Sequence, residues 1–139
     1  MNSNIKPRLG FFLAVMVAVL AVFGCGKLTE LVDKGDKLYF CENYIPSTDD
    51  CVGESSKYTT GTLTVMAKLE KPIGVRNVNI NITDKSSGEA IDTYPYTVST
   101  DMDYIYFDGV NFKEPGNYKV SLLKEDGTVV VSNEIEIIK

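Results

Sequence analysis

The sequence has no histidine and no tryptophan in its 139 residues. Without histidine, Ser-His-Asp and Cys-His nucleophilic catalysis, histidine-ligated zinc and HExxH chemistry are excluded. Basic residues are few as well: 14 lysines and arginines stand against 19 acids, giving a net charge of −5 and a pI near 4.7. That balance disfavours a role built on neutralising nucleic-acid phosphates. There is no internal repeat and no low-complexity tract. What remains is globular in composition, 44% hydrophobic and 24% charged, with a length that fits one domain.

Charge is missing altogether from Leu9 to Phe23, a run of 15 residues preceded by Lys6 and Arg8 and by no acid. A basic start, an apolar stretch of this length and a small residue before a cysteine read as a bacterial secretory signal. The run falls short of the ~20 apolar residues of a spanning helix, so a permanent membrane span is the weaker alternative. Val22-Phe23-Gly24-Cys25 resembles a lipobox, the signal cut by lipoprotein signal peptidase. The resemblance implies removal of residues 1–24 and acyl chains on the sulfur and amino group of Cys25. Two or three such chains hold a protein at a bilayer, each buried methylene contributing about 0.8 kcal/mol. An uncleaved anchor and a plain secretory signal are the other readings. Loss of Lys6 and Arg8 leaves 12 basic residues against 19 acids, a net of −7, so lipid and not charge would hold the chain at a membrane. Gly26 is not the aspartate that retains many enterobacterial lipoproteins at the inner membrane, which favours the outer membrane in a Gram-negative host.

Three cysteines leave one odd thiol, which is awkward in an exported protein. If Cys25 carries lipid, Cys41 and Cys51 remain as an even pair, separated by a segment rich in turn formers. A structural disulfide is the expectation; a redox pair or metal site lacks CxxC spacing and any histidine. Closing an 11-residue loop stabilises by about 3 kcal/mol in the chain-entropy treatment.

Residues 26–36 are mostly polar and read as a tether of at most ~36 Å when extended. Leu28, Leu31 and Val32 would alternatively suit a turn or two of amphipathic helix. From Lys37 onward the hydrophobic period is two. Leu63, Val65, Ala67 and Leu69 alternate with Thr62, Thr64 and Lys68, with Met66 as the exception. Val78, Ile80 and Ile82 alternate with Asn77, Asn79, Asn81 and Thr83, a strand with one wet face. Further strands are expected at Leu38–Cys41, Ala90–Tyr94, Met102–Val110, Tyr118–Leu122 and Thr128–Ile138, seven in all, with turn signals between them. The fold class is all-β.

Phe112–Leu122 carries a Pro-Gly-x-Tyr corner ahead of an alternating strand and a last hairpin. This resembles the penultimate strand of bacterial immunoglobulin-like and fibronectin-III-like domains. The resemblance implies a single immunoglobulin-like β-sandwich of about seven antiparallel strands, preceded by a helical signal peptide. In it Pro115 and Gly116 turn the chain, while Tyr118 bonds backbone with its hydroxyl and buries its ring. The antibody inter-sheet disulfide and core tryptophan are absent. The implied organisation is a signal peptide at 1–24, a lipidated cysteine and tether at 25–36, and the sandwich at 37–139.

Candidate sites are sparse. Asp101, Asp103 and Asp108 flank an aromatic strand, but the D-x-D-x-D-G calcium pattern is missing, so a solvated acidic loop is expected and no metal. Asp49 and Asp50 read as turn residues, and Asn77, Asn79 and Asn81 as a solvated sheet face. The best hint of a ligand is a group of tyrosines: Tyr94, Tyr96, Tyr104 and Tyr106 lie in neighbouring stretches. If Ile105 and Phe107 face the core, Tyr104 and Tyr106 face out as an aromatic strip able to stack on sugar rings or bury in a partner. Ordinary cross-strand packing is the plainer reading. The expectation is a non-catalytic, lipid-anchored envelope module that uses no cofactor and binds a protein or glycan partner or serves a larger surface assembly. A small histidine-independent hydrolase using paired carboxylates, and strand addition through an edge such as Thr128–Ile138, are the alternatives.

Overall fold

Strict alternation of apolar and polar residues makes strands that bury one face, and the chain from Lys37 onward follows that rule into two sheets around one core. The computed structural model describes residues 35–139, so the expected signal peptide, Cys25 and nearly all of the tether lie outside the described residues. Ten strands occur among the described residues: β1 (Lys37–Cys41), β2 (Asn43–Ile45), β3 (Asp50–Val52), β4 (Lys57–Thr59), β5 (Gly61–Lys68), β6 (Asn77–Asp84), β7 (Ala90–Thr97), β8 (Tyr104–Phe112), β9 (Gly116–Lys124) and β10 (Val129–Ile138). There is no helix among the described residues.

One sheet has the order β1-β5-β8, the other β4-β10-β9-β6-β7, and β2-β3 form a separate hairpin. The expected count of seven is therefore corrected to ten. The additions, β2, β3 and β4, are three residues each, too short to show a period of two in sequence. The antiparallel expectation also needs one correction, since β4 runs parallel to the end of β10, pairing Lys57–Thr59 with Glu136–Ile138. Consequently the last strand is flanked on both sides there and is not a bare edge.

The core forms between the sheets. Phe40, Val65, Phe107 and Val110 come from the first sheet, and Val78, Ile80, Val120, Leu122, Ile135 and Ile137 from the second. Each such side chain contributes about 1.5–3 kcal/mol by leaving water. At the Pro-Gly corner the Tyr118 hydroxyl donates to the Glu114 carbonyl at 2.8 Å and its ring packs on Phe112. A Cβ at Gly116 would come within 3.2 Å of the Tyr118 ring, which explains the glycine beside it.

Register fixes two opposite ends. Asp36 accepts the Glu70 amide at 2.8 Å near the Lys37–Lys68 pairing, where β1 starts and β5 finishes. The other end holds Phe112 paired with Gly61 and Asp84 paired with Tyr118.

Candidate functional site

Cys41 and Cys51 are joined, with Cα atoms 5.3 Å apart. Between them β2 and β3 pair antiparallel, setting Tyr44 opposite Cys51 and Ile45 opposite Asp50. Asp49 closes the turn in the left-handed region at φ 55°, a conformation aspartate tolerates better than most residues. The Tyr58 hydroxyl lies between the carbonyls of Phe40 and Gly53, at 2.8 and 2.6 Å, and fixes the base of the hairpin.

This hairpin covers part of the outer face of the three-stranded sheet. Alternation turns Tyr39 and Cys41 of β1, Thr64 and Met66 of β5, and Tyr104 and Tyr106 of β8 to that face. Cys41 and Met66 are fully buried there, and Thr64 donates its hydroxyl to Asp108 Oδ1 at 2.7 Å. A bulge in β8 makes that bond possible: Asp108 and Gly109 both face Thr64, and Gly109 takes φ 79°. The face of β5 that carries Thr62, Thr64 and Lys68 is thus dry at Thr64 and at the exceptional Met66, because its cover comes from elsewhere in the chain.

Four tyrosines meet at this face. Tyr44 lies 4.8 Å from Tyr106 with rings tilted, and 6.3 Å from Tyr104 edge to face. Tyr39 donates its hydroxyl to Tyr104 Oη at 3.0 Å, and Tyr44 donates to Asp49 Oδ1 at 2.7 Å. The Tyr44 and Tyr104 hydroxyls hold the Asp49 carboxyl below its ordinary range. Burial, then the Tyr104 bond, pushes Tyr39 well above the usual tyrosine value; the Asp49 bond, then burial, raises Tyr44. Chemically, this is a set of neutral rings with one carboxylate. Raised hydroxyls do not supply a base at neutral pH.

Tyr104 and Tyr106 thus lie outside while Ile105 and Phe107 fill the core. Tyr94 and Tyr96 are elsewhere, so the candidates Tyr94, Tyr96, Tyr104 and Tyr106 do not form one strip. Both pack against the core from β7 and reach across to the free edge of β8. Tyr94 donates to the Asn111 carbonyl and accepts the Asn111 amide, and Tyr96 donates to the Asp108 carbonyl at 2.6 Å. The opposite seam is stitched by Asn133, whose amide donates to the Leu38 carbonyl at 2.9 Å. Sequence reasoning missed Tyr39 and Tyr44, and it read Asp49 only as the turn residue that it is; the shared parity of Tyr39 and Cys41 was the available signal.

The edges of β7 and β10 are partly closed as well. Val98 donates its amide to Arg76, so in antiparallel register Thr93, Pro95 and Thr97 turn their backbone outward from β7. Thr93 N–H goes to the Asp92 carboxylate, and Pro95 has no N–H. On β10, Glu134 N–H goes to Asn133 Oδ1 and Glu136 N–H to the Ser56 carbonyl. Such edges are poor templates for strand addition.

Asp101 and Asp103 sit in the β7–β8 connection and Asp108 in the middle of β8. Among the described residues no three acids or cysteines group to hold a metal. Asn77 is exposed, while Asn79 and Asn81 are half-buried by their neighbours. A cleft of about 320 Å³ opens between the β6–β7 and β8–β9 turns, with Asp84, Asp92 and Glu114 around it. The carboxyls that depart from their ordinary values, Asp49, Asp84 and Asp126, all shift down, opposite to what a general acid needs. No protein-family model matches this chain, and no curated protein matches it, so function rests on the chemistry of these residues.

Proposed function

We propose that this protein is a non-catalytic envelope lipoprotein: an immunoglobulin-like, fibronectin-III-like module carried on lipid-modified Cys25 that binds another envelope protein. The order β1-β5-β8 against β4-β10-β9-β6-β7 and the Tyr118 corner support the immunoglobulin-like reading. The lipobox-like Val22–Cys25 supports the anchor, and outer-membrane residence follows where the host has one.

The observation that carries the binding role is the contrast between partly closed strand edges and the tyrosine face. Tyr106 is 41% exposed beside Tyr44, and Ile45 and Val52 are exposed on the hairpin. Tyrosine and aliphatic surface on a covalently braced support suits a protein partner, because little side-chain freedom is lost on contact.

Two measurements test this in the cells that make the protein. Labelled palmitate should enter the wild-type chain and not Cys25→Ala; equal labelling of both removes the anchor. A photocrosslinking side chain placed at Tyr106 should give an adduct of one defined protein mass, and one placed at Asn79 none. Equal adducts from both positions, or an adduct that a glycosidase degrades, overturn the proposed face or its protein partner.

A further inference from the structure

We propose that the cleft between the β6–β7 and β8–β9 turns receives a lysine or arginine side chain from an extended segment of a partner protein. Its floor is apolar. Ile82 and Phe112 are buried, but Ile91 is 54% exposed, a large aliphatic left open to water at the mouth of the cleft. Its rim is acidic, with Asp84, Asp92 and Glu114 set against the one cation Lys113.

The three carboxylates have different duties. Asp84 builds its own turn, accepting the amides of Ser86 and Ser87 and the Ser86 hydroxyl through Oδ1. Asp92 uses Oδ1 for the Thr93 amide, and its carboxylate also faces the Tyr94 hydroxyl. Glu114 lends only its backbone carbonyl, to Tyr118, and its carboxylate makes no hydrogen bond or ion pair among the described residues. Lys113 pairs with none of them there either. The rim therefore keeps a negative excess over an apolar floor. That combination fits a side chain with an aliphatic stem and a cationic head, the stem lying along Ile91 and the head between Asp92 and Glu114.

Size narrows the occupant. A volume of about 320 Å³ lies at the small end of ligand sites, about 300–1,000 Å³, which suits one long side chain and its flanking backbone but no folded element. Sign excludes an anionic ligand. Placement suits a partner: the cleft lies at the end carrying Asp84 and Tyr118, and Asp36, where the preceding chain joins, lies at the other. This placement gains meaning from the lipid-anchor reading, whereas the cleft's chemistry is independent of it.

The test uses the full-length protein in a non-ionic detergent and a fluorescein-labelled Gly/Ser peptide with one central arginine, followed by anisotropy. Saturable binding is expected. Asp92→Asn with Glu114→Gln should weaken it at least about tenfold, the effect of losing charged hydrogen bonds. Both replacements keep shape and the Thr93 and Tyr118 bonds, and an unchanged melting temperature checks the fold. The same peptide with uncharged citrulline should bind about tenfold more weakly to the wild-type protein, a readout that needs no variant. Remote Asp101→Asn should change nothing. Equal weakening by Asp101→Asn would assign the attraction to the overall acidic field. Competition by spermidine as effective as that of unlabelled peptide would assign it to any cation. Either result, or no saturable binding, overturns the proposal, and none of them bears on Cys25 or the tyrosine face.

Discussion

The two sheets share a core but treat their outer faces in opposite ways. On the five-stranded sheet, Asn81 donates to Thr93 Oγ1 at 3.0 Å and Thr83 donates to Asn81 Oδ1 at 2.8 Å, leaving short polar groups that satisfy one another in water. On the three-stranded sheet, Cys41 and Met66 reach 0% exposure beneath a two-stranded hairpin. A lone hairpin is marginal in water. This one is held by a disulfide at its base and by aromatic contact, so the covered face depends on a covalent bond where the open face depends on none. The physical lesson is that an outer sheet face can be made dry by a short insertion, provided the insertion is stapled to the strand it follows.

The largest test compares a residue between the sheets with one beneath the hairpin. Phe107→Ala should cost about 3–5 kcal/mol, and Met66→Ala about 2–5 kcal/mol, both read by urea unfolding. In a Cys41→Ala/Cys51→Ala background the Phe107 cost should persist, while the Met66 cost should shrink by about 0.5–3 kcal/mol of coupling. Strict additivity for Met66 would mean that something other than the hairpin keeps it dry.

Removing the disulfide alone should cost about 3 kcal/mol in the chain-entropy treatment. Its signature is regional. Amide exchange should quicken across β2, β3 and the stretch Thr64–Met66 of β5 beneath the hairpin, while β6 and β9 open only with global unfolding. Equal acceleration in β6 would show that the staple supports the whole sandwich and not one face of it.

Much of this contrast was legible in the sequence, and the part that was not has a physical reason. Alternation located β5, β6 and β9, because each buries one full face against a neighbour sheet. The resemblance carried by the Pro-Gly-x-Tyr corner implied a backbone bond from Tyr118, which the structure has. Met66 was visible only as an exception to its strand, since its cover is non-local. Strands β2, β3 and β4 carry too few residues for periodicity, and β4 owes its existence to pairing with β10, 80 or so positions later. Tyr94 and Tyr96 were ambiguous because a tyrosine can bury its ring and still reach a backbone group with its hydroxyl; the structure uses them to close an edge. The cleft left no trace in the pattern, since its acids come from three separate segments.

A smaller effect separates the corner from the tyrosine face. Tyr118→Phe removes the bond to Glu114 and should cost about 1 kcal/mol, measured by urea unfolding. Tyr44→Phe removes a bond to the exposed Asp49 and should cost less than that. A larger loss at Tyr44 than at Tyr118 would make the tyrosine face a stabilising element in its own right.

The smallest effect is a shift in titration, and it divides the tyrosine face itself. Tyr39 is raised first by burial and then by Tyr104, whereas Tyr44 is raised first by its bond to Asp49. A folded pKa above the unfolded value means that the folded state holds the proton more tightly. The stability so contributed is complete below the ordinary tyrosine value of about 10 and is lost as pH rises through the folded value. Alkaline pH should therefore weaken the hairpin's seat, with near-ultraviolet absorbance reporting ionisation. Asp49→Asn should let Tyr44 ionise earlier and leave Tyr39 late, because an amide acceptor lacks the charge that holds Tyr44's proton but does nothing to re-expose Tyr39. Breaking the disulfide should have the converse signature, admitting water to Tyr39 and lowering its titration most. If Asp49→Asn moved both hydroxyls equally, the Tyr39 shift would be electrostatic, and burial beneath the hairpin would not be its cause.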